Sequence, residues 1–196
     1  MFRKVIVGVV AVVGLSAGVV PAADAAPQEV VQLGGVHGEQ LGGLTELVVQ
    51  RILIGDDVAA SKYFSGKPVD DPVREQQILT SVRASALQLG IDPDETAAFF
   101  QAQIDASKVV QRGLLAYWAA HPDKAPTSGP DLTVIRAKLD ALTTQLLAEL
   151  VRVDNLRHSG LRCDIALVIA DATTGARHHL DPLHREALRT ASTATC

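Results

Sequence analysis

The chain has 196 residues, 47% of them hydrophobic, 20% charged and only 4% aromatic, with a formal net charge of -4. An acidic chain with no Lys/Arg-rich run lacks the electrostatic footprint of a nucleic-acid binder, which argues against DNA or RNA as a partner. Its length suits one domain with a real hydrophobic core rather than several small ones.

Met1-Phe2-Arg3-Lys4 forms a basic opening, residues 5–20 an apolar run interrupted only by Gly and Ser, and Ala23-Asp24-Ala25 a small-residue site before Ala26-Pro27. That order reads as a signal peptide, residues 1–25, cleaved after Ala25. A membrane anchor is disfavoured because the run is short and the cleavage site follows it directly. No second apolar stretch approaches membrane-spanning length, so the mature chain is expected to be secreted or periplasmic, without a membrane partner after cleavage. Residues 26–43, rich in glycine, read as a flexible leader, and residues 44–196 as the folded domain.

In the first mature helix Leu44, Leu47 and Val48 make a buried stripe, and Arg51 falls in line with them. Lys62 lies eleven residues on, about three turns, and shares that face if the helix is continuous. Gly55-Asp56-Asp57 is a candidate break between the two. Asp71-Pro72, Asp92-Pro93 and Asp181-Pro182 each set an N-cap acceptor before a proline at the first helical position, and Glu95 stands three residues after Asp92. Gln88-Leu89-Gly90 supplies a helix stop.

The helix predicted over residues 92–121 carries Phe100, Ile104, Ser107, Gln111, Leu114 and Trp118 at alternating steps of four and three, which puts all six on one face. Ser107 and Gln111 should therefore point inward. Burying a hydroxyl and a carboxamide costs a few kcal/mol unless both find partners. Residues 122–130, with three prolines and a glycine, read as a loop. Asp131 then caps a helix of about three heptads, in which Leu132, Ile135, Leu139, Leu142, Leu146 and Leu150 keep near-heptad spacing. Strand signals are nearly absent. The expected fold is all-α, a single-domain bundle of about six helices.

Four cations sit at revealing places: Arg51 and Lys62 on the first helix, Arg74 in the turn after Asp71-Pro72, and Arg136 soon after Asp131. Singly, each reads equally as a snorkelling side chain or one paired with Asp56, Asp57, Asp70, Asp71 or Glu75. Ser107 and Gln111 could likewise simply bond a neighbouring helix. Together, the six suggest an anionic ligand held between helices, since the planar arginine fork bonds both oxygens of a carboxylate.

Cys163 and Cys196 are the only cysteines, and export favours a disulfide between them. Without a CxxC, and with no ligand spacing among His178, His179 and His184, a metal site is not expected. No Ser-His-Asp or Cys-His arrangement offers a nucleophile with a placed base.

Several segments taken in order resemble one family: Arg51-Ile52-Leu53, Ala60-Ser61-Lys62-Tyr63, Lys67-Pro68-Val69, Val73-Arg74-Glu75-Gln76-Gln77 and Gly90-Ile91-Asp92-Pro93-Asp94. Gln103-Ile104, Ser107, Gln111, Trp118, Pro130-Asp131-Leu132, Arg136 and the pair Cys163 and Cys196 continue the series. The chain is similar to the secreted chorismate mutases of the all-helical class, gamma subclass, of the exported type found in mycobacteria and related actinobacteria. The resemblance implies chorismate as small-molecule substrate, no cofactor, and an association that allows a homodimer. It implies that Arg51 and Arg136 bind the two carboxylates of chorismate, that Arg74 completes the cationic lining, and that Lys62 and Gln111 hydrogen-bond the ether oxygen. Glu75 is implied to meet the ring hydroxyl, with Asp71 a weaker candidate, and Ser107 to support the ring carboxylate. Some secreted relatives carry Glu where Gln111 stands and an apolar residue where Glu75 stands; here both match the Gln-bearing branch.

The chemistry fits these residue types independently. A pericyclic rearrangement of chorismate to prephenate needs no nucleophile; it needs a reactive conformer held in place and donors for charge growing on the ether oxygen. A glutamine donates at any pH, so a broad pH profile is expected. The competing expectation is a secreted helical binding protein, for a small dicarboxylate or a protein partner, on an inactive mutase scaffold.

Overall fold

Among the described residues six α-helices follow one another: α1 (Glu29–Ser65), α2 (Pro72–Leu89), α3 (Pro93–Ala120), α4 (Leu132–Arg157), α5 (Leu161–Arg177) and α6 (Pro182–Ser192), with a 3-10 turn at Pro122–Lys124. These come from a computed structural model that describes residues 29–196, with side chains from residue 40 onward. The signal peptide read at residues 1–25 and the first residues of the leader lie outside the described residues.

The helix starts are those the Asp-Pro pairs announce. Asp71 accepts from the Arg74 N–H at 3.1 Å, Asp92 from the N–H groups of Asp94 and Glu95, and Asp181 from that of His184, each satisfying donors that the first turn leaves unpaired. Asp131 caps α4 through the Thr133 N–H. Gly90, at φ 76°, ends α2 in the left-handed conformation that glycine adopts without penalty. The Glu95 side chain does not complete a capping box; its Oε2 lies 2.8 Å from His158 Nε2.

Two expectations need correction. α1 runs unbroken through Gly55-Asp56-Asp57. Gly55 serves close packing instead: a Cβ there would stand 3.1 Å from Val110 Cγ1, so its absence lets α1 approach α3. Upstream, helical backbone begins at Glu29, inside the stretch whose glycines read as a loose leader, and Leu41 and Leu44 are fully buried. At Gly42 and Gly43 the burial of neighbouring Leu41 and Leu44 outweighs a helix-propensity deficit of about 1 kcal/mol per glycine.

α1 is the central helix, packed against α3, α4, α5 and α6. Leu41, Leu44, Val49 and Ile52 from it meet Phe99, Phe100 and Val110 from α3 and Leu146 and Leu150 from α4. α4 extends beyond the three heptads expected, to Arg157, because Val153 and Arg157 also turn inward. On the α3 stripe Phe100, Ile104, Gln111 and Trp118 are buried, Ser107 and Leu114 half-buried. α2 differs from the rest. It buries only Val82 and Ala86 and leans on α3 and, more lightly, α4, so a space remains beneath it.

The C-terminus is fastened twice. Cys163 and Cys196 form a disulfide, and the buried Arg157 donates from Nε to the Thr195 carbonyl at 2.7 Å. Among the described residues no helix is long and apolar enough to cross a membrane.

Candidate active site

The space under α2 is a cavity of about 800 Å³ walled by α1, α2, α3, α4 and the α1–α2 connection. All of Arg51, Lys62, Arg74, Glu75, Ser107, Gln111 and Arg136 line it. They arrive from four helices, so only the tertiary fold brings them together.

Arg51 is 6% exposed and among the described residues has no carboxylate within ion-pair distance. Its Nη1 donates to the Leu139 carbonyl and to Thr143 Oγ1, both at 3.3 Å. Burial pushes its pKa down to about 10, with Asp140 opposing and Arg74 adding to the depression. It stays charged at neutral pH. A buried guanidinium bonded only to neutral acceptors favours a carboxylate placed beside it.

Lys62 lies on the same face of α1, as the eleven-residue spacing requires. Its Nζ donates to the Val69 carbonyl at 2.8 Å. Burial lowers its pKa, against the pull of Asp71, Asp70 and Glu75, and Lys108 lowers it further. Gln111, 4% exposed, donates from Nε2 to Ser107 Oγ at 3.0 Å, and its buried Oε1 has no partner among the described residues. An orphaned buried acceptor is costly. In the observed orientation Ser107 accepts from Nε2 and keeps its own hydroxyl proton for a ligand, and the second Nε2 hydrogen is likewise free to donate.

The remaining residues are more open. Arg74 is half-buried and lies 3.5 Å from Asp140. Arg136 is exposed, lines the cavity and makes no ion pair among the described residues. Each Glu75 oxygen has one partner: Oε1 accepts from the Asp71 N–H at 3.0 Å and Oε2 lies 2.7 Å from Lys108 Nζ, which leaves a lone pair on each for a further donor. Asp71 lines the wall while capping α2.

Sequence reasoning missed Lys108, Asp140 and Thr143, all in the lining. Lys108 pairs with Glu75 and, at 3.3 Å, with Asp70; Arg112, one turn on, holds Asp70 at 2.8 and 2.9 Å. A signal was present. Lys108 and Arg112 each follow an inward-facing residue, Ser107 and Gln111, so they flank the same face one helical step round. The lining carries six cationic side chains, Arg51, Lys62, Lys67, Arg74, Lys108 and Arg136, against four anionic ones, Asp70, Asp71, Glu75 and Asp140. That balance suits a small dianion.

Comparison with known proteins agrees with the geometry. The family described as chorismate mutase type II matches residues 43–112. The chain is 38% identical over 154 residues, 78% of its own length and 84% of the other's, to the secreted chorismate mutase of Mycolicibacterium smegmatis. It is 31% identical over 157 residues, 80% of this chain and 78% of that one, to the secreted chorismate mutase of Mycobacterium tuberculosis. The fold is similar to the crystal structure of chorismate mutase from Burkholderia phymatum, with a TM-score of 0.78 and 31% identity over 83% of this chain and 99% of that one.

Proposed function

This chain belongs to the secreted chorismate mutase family and carries that activity, and from this premise we propose how its cavity performs the reaction. The enzyme is an isomerase of the shikimate pathway, and chorismate is its substrate. Within the family we assign it to the gamma subclass, exported by way of the segment read at residues 1–25. Every residue of the proposed set lies in one chain, so a homodimer would carry two independent sites.

In the reaction the ether C–O bond of chorismate breaks as a C–C bond forms between the enolpyruvyl side chain and the ring, within one molecule and with no proton or group exchanged. Two demands follow: the side chain must be folded over the ring, and negative charge growing on the ether oxygen must be stabilised. Arg51 and Arg136 take the two carboxylates, one from the buried end of the cavity and one from its exposed edge. Arg74 adds charge to the same wall, exchanging Asp140 for the substrate. Lys62 and the Gln111 carboxamide donate to the ether oxygen, one cationic and one neutral. Ser107 supports the ring carboxylate while orienting Gln111. Glu75, held by Lys108, accepts from the ring hydroxyl.

The observation that carries this reading is Arg51: a buried guanidinium with neutral acceptors only, in a lining with two more cations than anions. The test is loss of chorismate absorbance with purified residues 26–196, prephenate identified as product. Turnover with the wild type and at least about 100-fold less with Lys62→Ala is expected, the usual consequence of losing one preorganised donor. Equal turnover by Lys62→Ala would remove Lys62 from the mechanism.

A further inference from the structure

The wall of the cavity is helical everywhere except residues 67–71 of the α1–α2 connection. Gly66 bonds back to Lys62 and Asp71 is bonded by Glu75, but among the described residues no backbone group of residues 67–70 bonds to another backbone group. Side chains must therefore fix this stretch. The Val69 carbonyl within it is what Lys62 Nζ donates to, at 2.8 Å. The next residue, Asp70, is gripped by α3: Arg112 Nη2 reaches both carboxylate oxygens, at 2.8 and 2.9 Å, and Lys108 Nζ lies 3.3 Å away.

We propose that Asp70 is a positioning residue for the reaction: clamped by Arg112 and Lys108, it fixes the adjoining Val69 carbonyl and thereby the aim of the Lys62 ammonium. The inference rests on the catalytic role assigned to Lys62 above. A lysine ammonium sits on a flexible four-carbon stem, so its position is set by its fixed acceptors rather than by the stem. α3 does two jobs with two adjacent residue pairs. Ser107 and Gln111 face the cavity, while Lys108 and Arg112, one position on in each case, hold the connection that carries the acceptor for Lys62. Both donors aimed at the ether oxygen are thus referred to one helix. Displacing a reacting group by about 1 Å costs on the order of 100-fold in rate, and a partial release costs less.

Arg112 makes the cleaner test, because it does not line the cavity, and it is exposed, so its replacement leaves the core intact. Steady-state kcat and KM would be measured for residues 26–196 as wild type, Arg112→Met, Asp70→Ala, Asp70→Glu, the double variant Asp70→Ala/Arg112→Met, and Lys62→Ala. The expected result is a kcat loss of about 10-fold in Arg112→Met and in Asp70→Ala, with KM changed less than about threefold and the melting curve unchanged. Asp70→Glu should recover part of the loss, and the double variant should be no slower than Asp70→Ala, because Arg112 acts through Asp70. Values of kcat within twofold of wild type for both single variants, or losses that multiply in the double variant, would overturn the inference while leaving the mutase reading intact. An inactive wild type, or a Lys62→Ala variant as fast as wild type, would overturn the assigned role of Lys62 instead, and the inference with it.

Discussion

Replacing Gln111 by glutamate should make the reaction faster in acid than at neutral pH, where the wild type is expected to be flat. The carboxamide is almost fully buried, lies 3.0 Å from Ser107 Oγ and carries an oxygen with no partner among the described residues. A carboxyl group has the same shape, so the variant should keep its place in the α3 stripe. It can donate to the ether oxygen only when protonated, and as a carboxylate it would set lone pairs against the charge developing there. Burial raises a carboxyl above its ordinary value of about 4.3, while nearby Lys62 pulls it down. If the net rise is about one to two pH units, some 2 to 17% of the variant is protonated at pH 7, roughly a 6- to 50-fold deficit in kcat, and most of the loss is regained by about pH 5. Wild type should be flat over the same interval, and Gln111→Ala flat but about 100- to 1000-fold slower. The assay is kcat from chorismate absorbance between pH 4.5 and 8. A flat profile for Gln111→Glu would refute the donor role, as would a sharp wild-type fall between about pH 5 and 8 that disappears in Gln111→Ala.

Three further outcomes are expected. The Asp56 carboxylate, 2.9 Å away, raises the His184 imidazole to about 9, with burial opposing and Asp181 at 2.8 Å assisting. Because the folded pKa lies above the ordinary 6.5, this α1–α6 link stabilises fully below that pH and is lost as pH rises through about 9. The Tm gap between wild type and His184→Gln should be widest near pH 6 and close by about pH 10; a constant gap would contradict the linkage. Reducing the Cys163–Cys196 disulfide, which spans 33 residues, should cost about 3 to 4 kcal/mol in a denaturant titration on the chain-entropy model, without lowering kcat, since neither cysteine lines the cavity. An unchanged midpoint, or activity lost while the helical circular dichroism remains, would count against it. Gly55→Ala gains about 1 kcal/mol of helix propensity but presses on the fully buried, β-branched Val110, and overpacking of about 1 to 3 kcal/mol should leave the protein less stable by up to about 2 kcal/mol. A rise in Tm would mean that α1 and α3 can part slightly at no cost.

The helix starts were legible because they are local chemistry: an aspartate before a proline caps the next turn whatever lies beyond it, and Gly90 stops α2 by its own backbone freedom. Periodicity carried the α3 stripe and the shared face of Arg51 and Lys62, since 3.6 residues per turn is a property of the single helix. Residue type and order carried the likeness to the mutases.

Other features depended on how helices lie against one another. Gly55 reads as a break in isolation and is instead a point of contact, because only the presence of Val110 opposite explains a missing side chain. Asp70 and Arg112 are 42 residues apart and Glu75 and Lys108 are 33 apart, so their pairing follows from the register of the α1–α2 connection on α3, which no local rule sets. Asp140 beside Arg74 and Thr143 beside Arg51 depend in the same way on where α4 closes the cavity. The sequence by itself determined where the capped helices start and that Arg51, Ser107 and Gln111 turn inward; the tertiary structure alone decided how far α1 and α4 run and which side chains meet, because those choices belong to packing between helices rather than to any one of them.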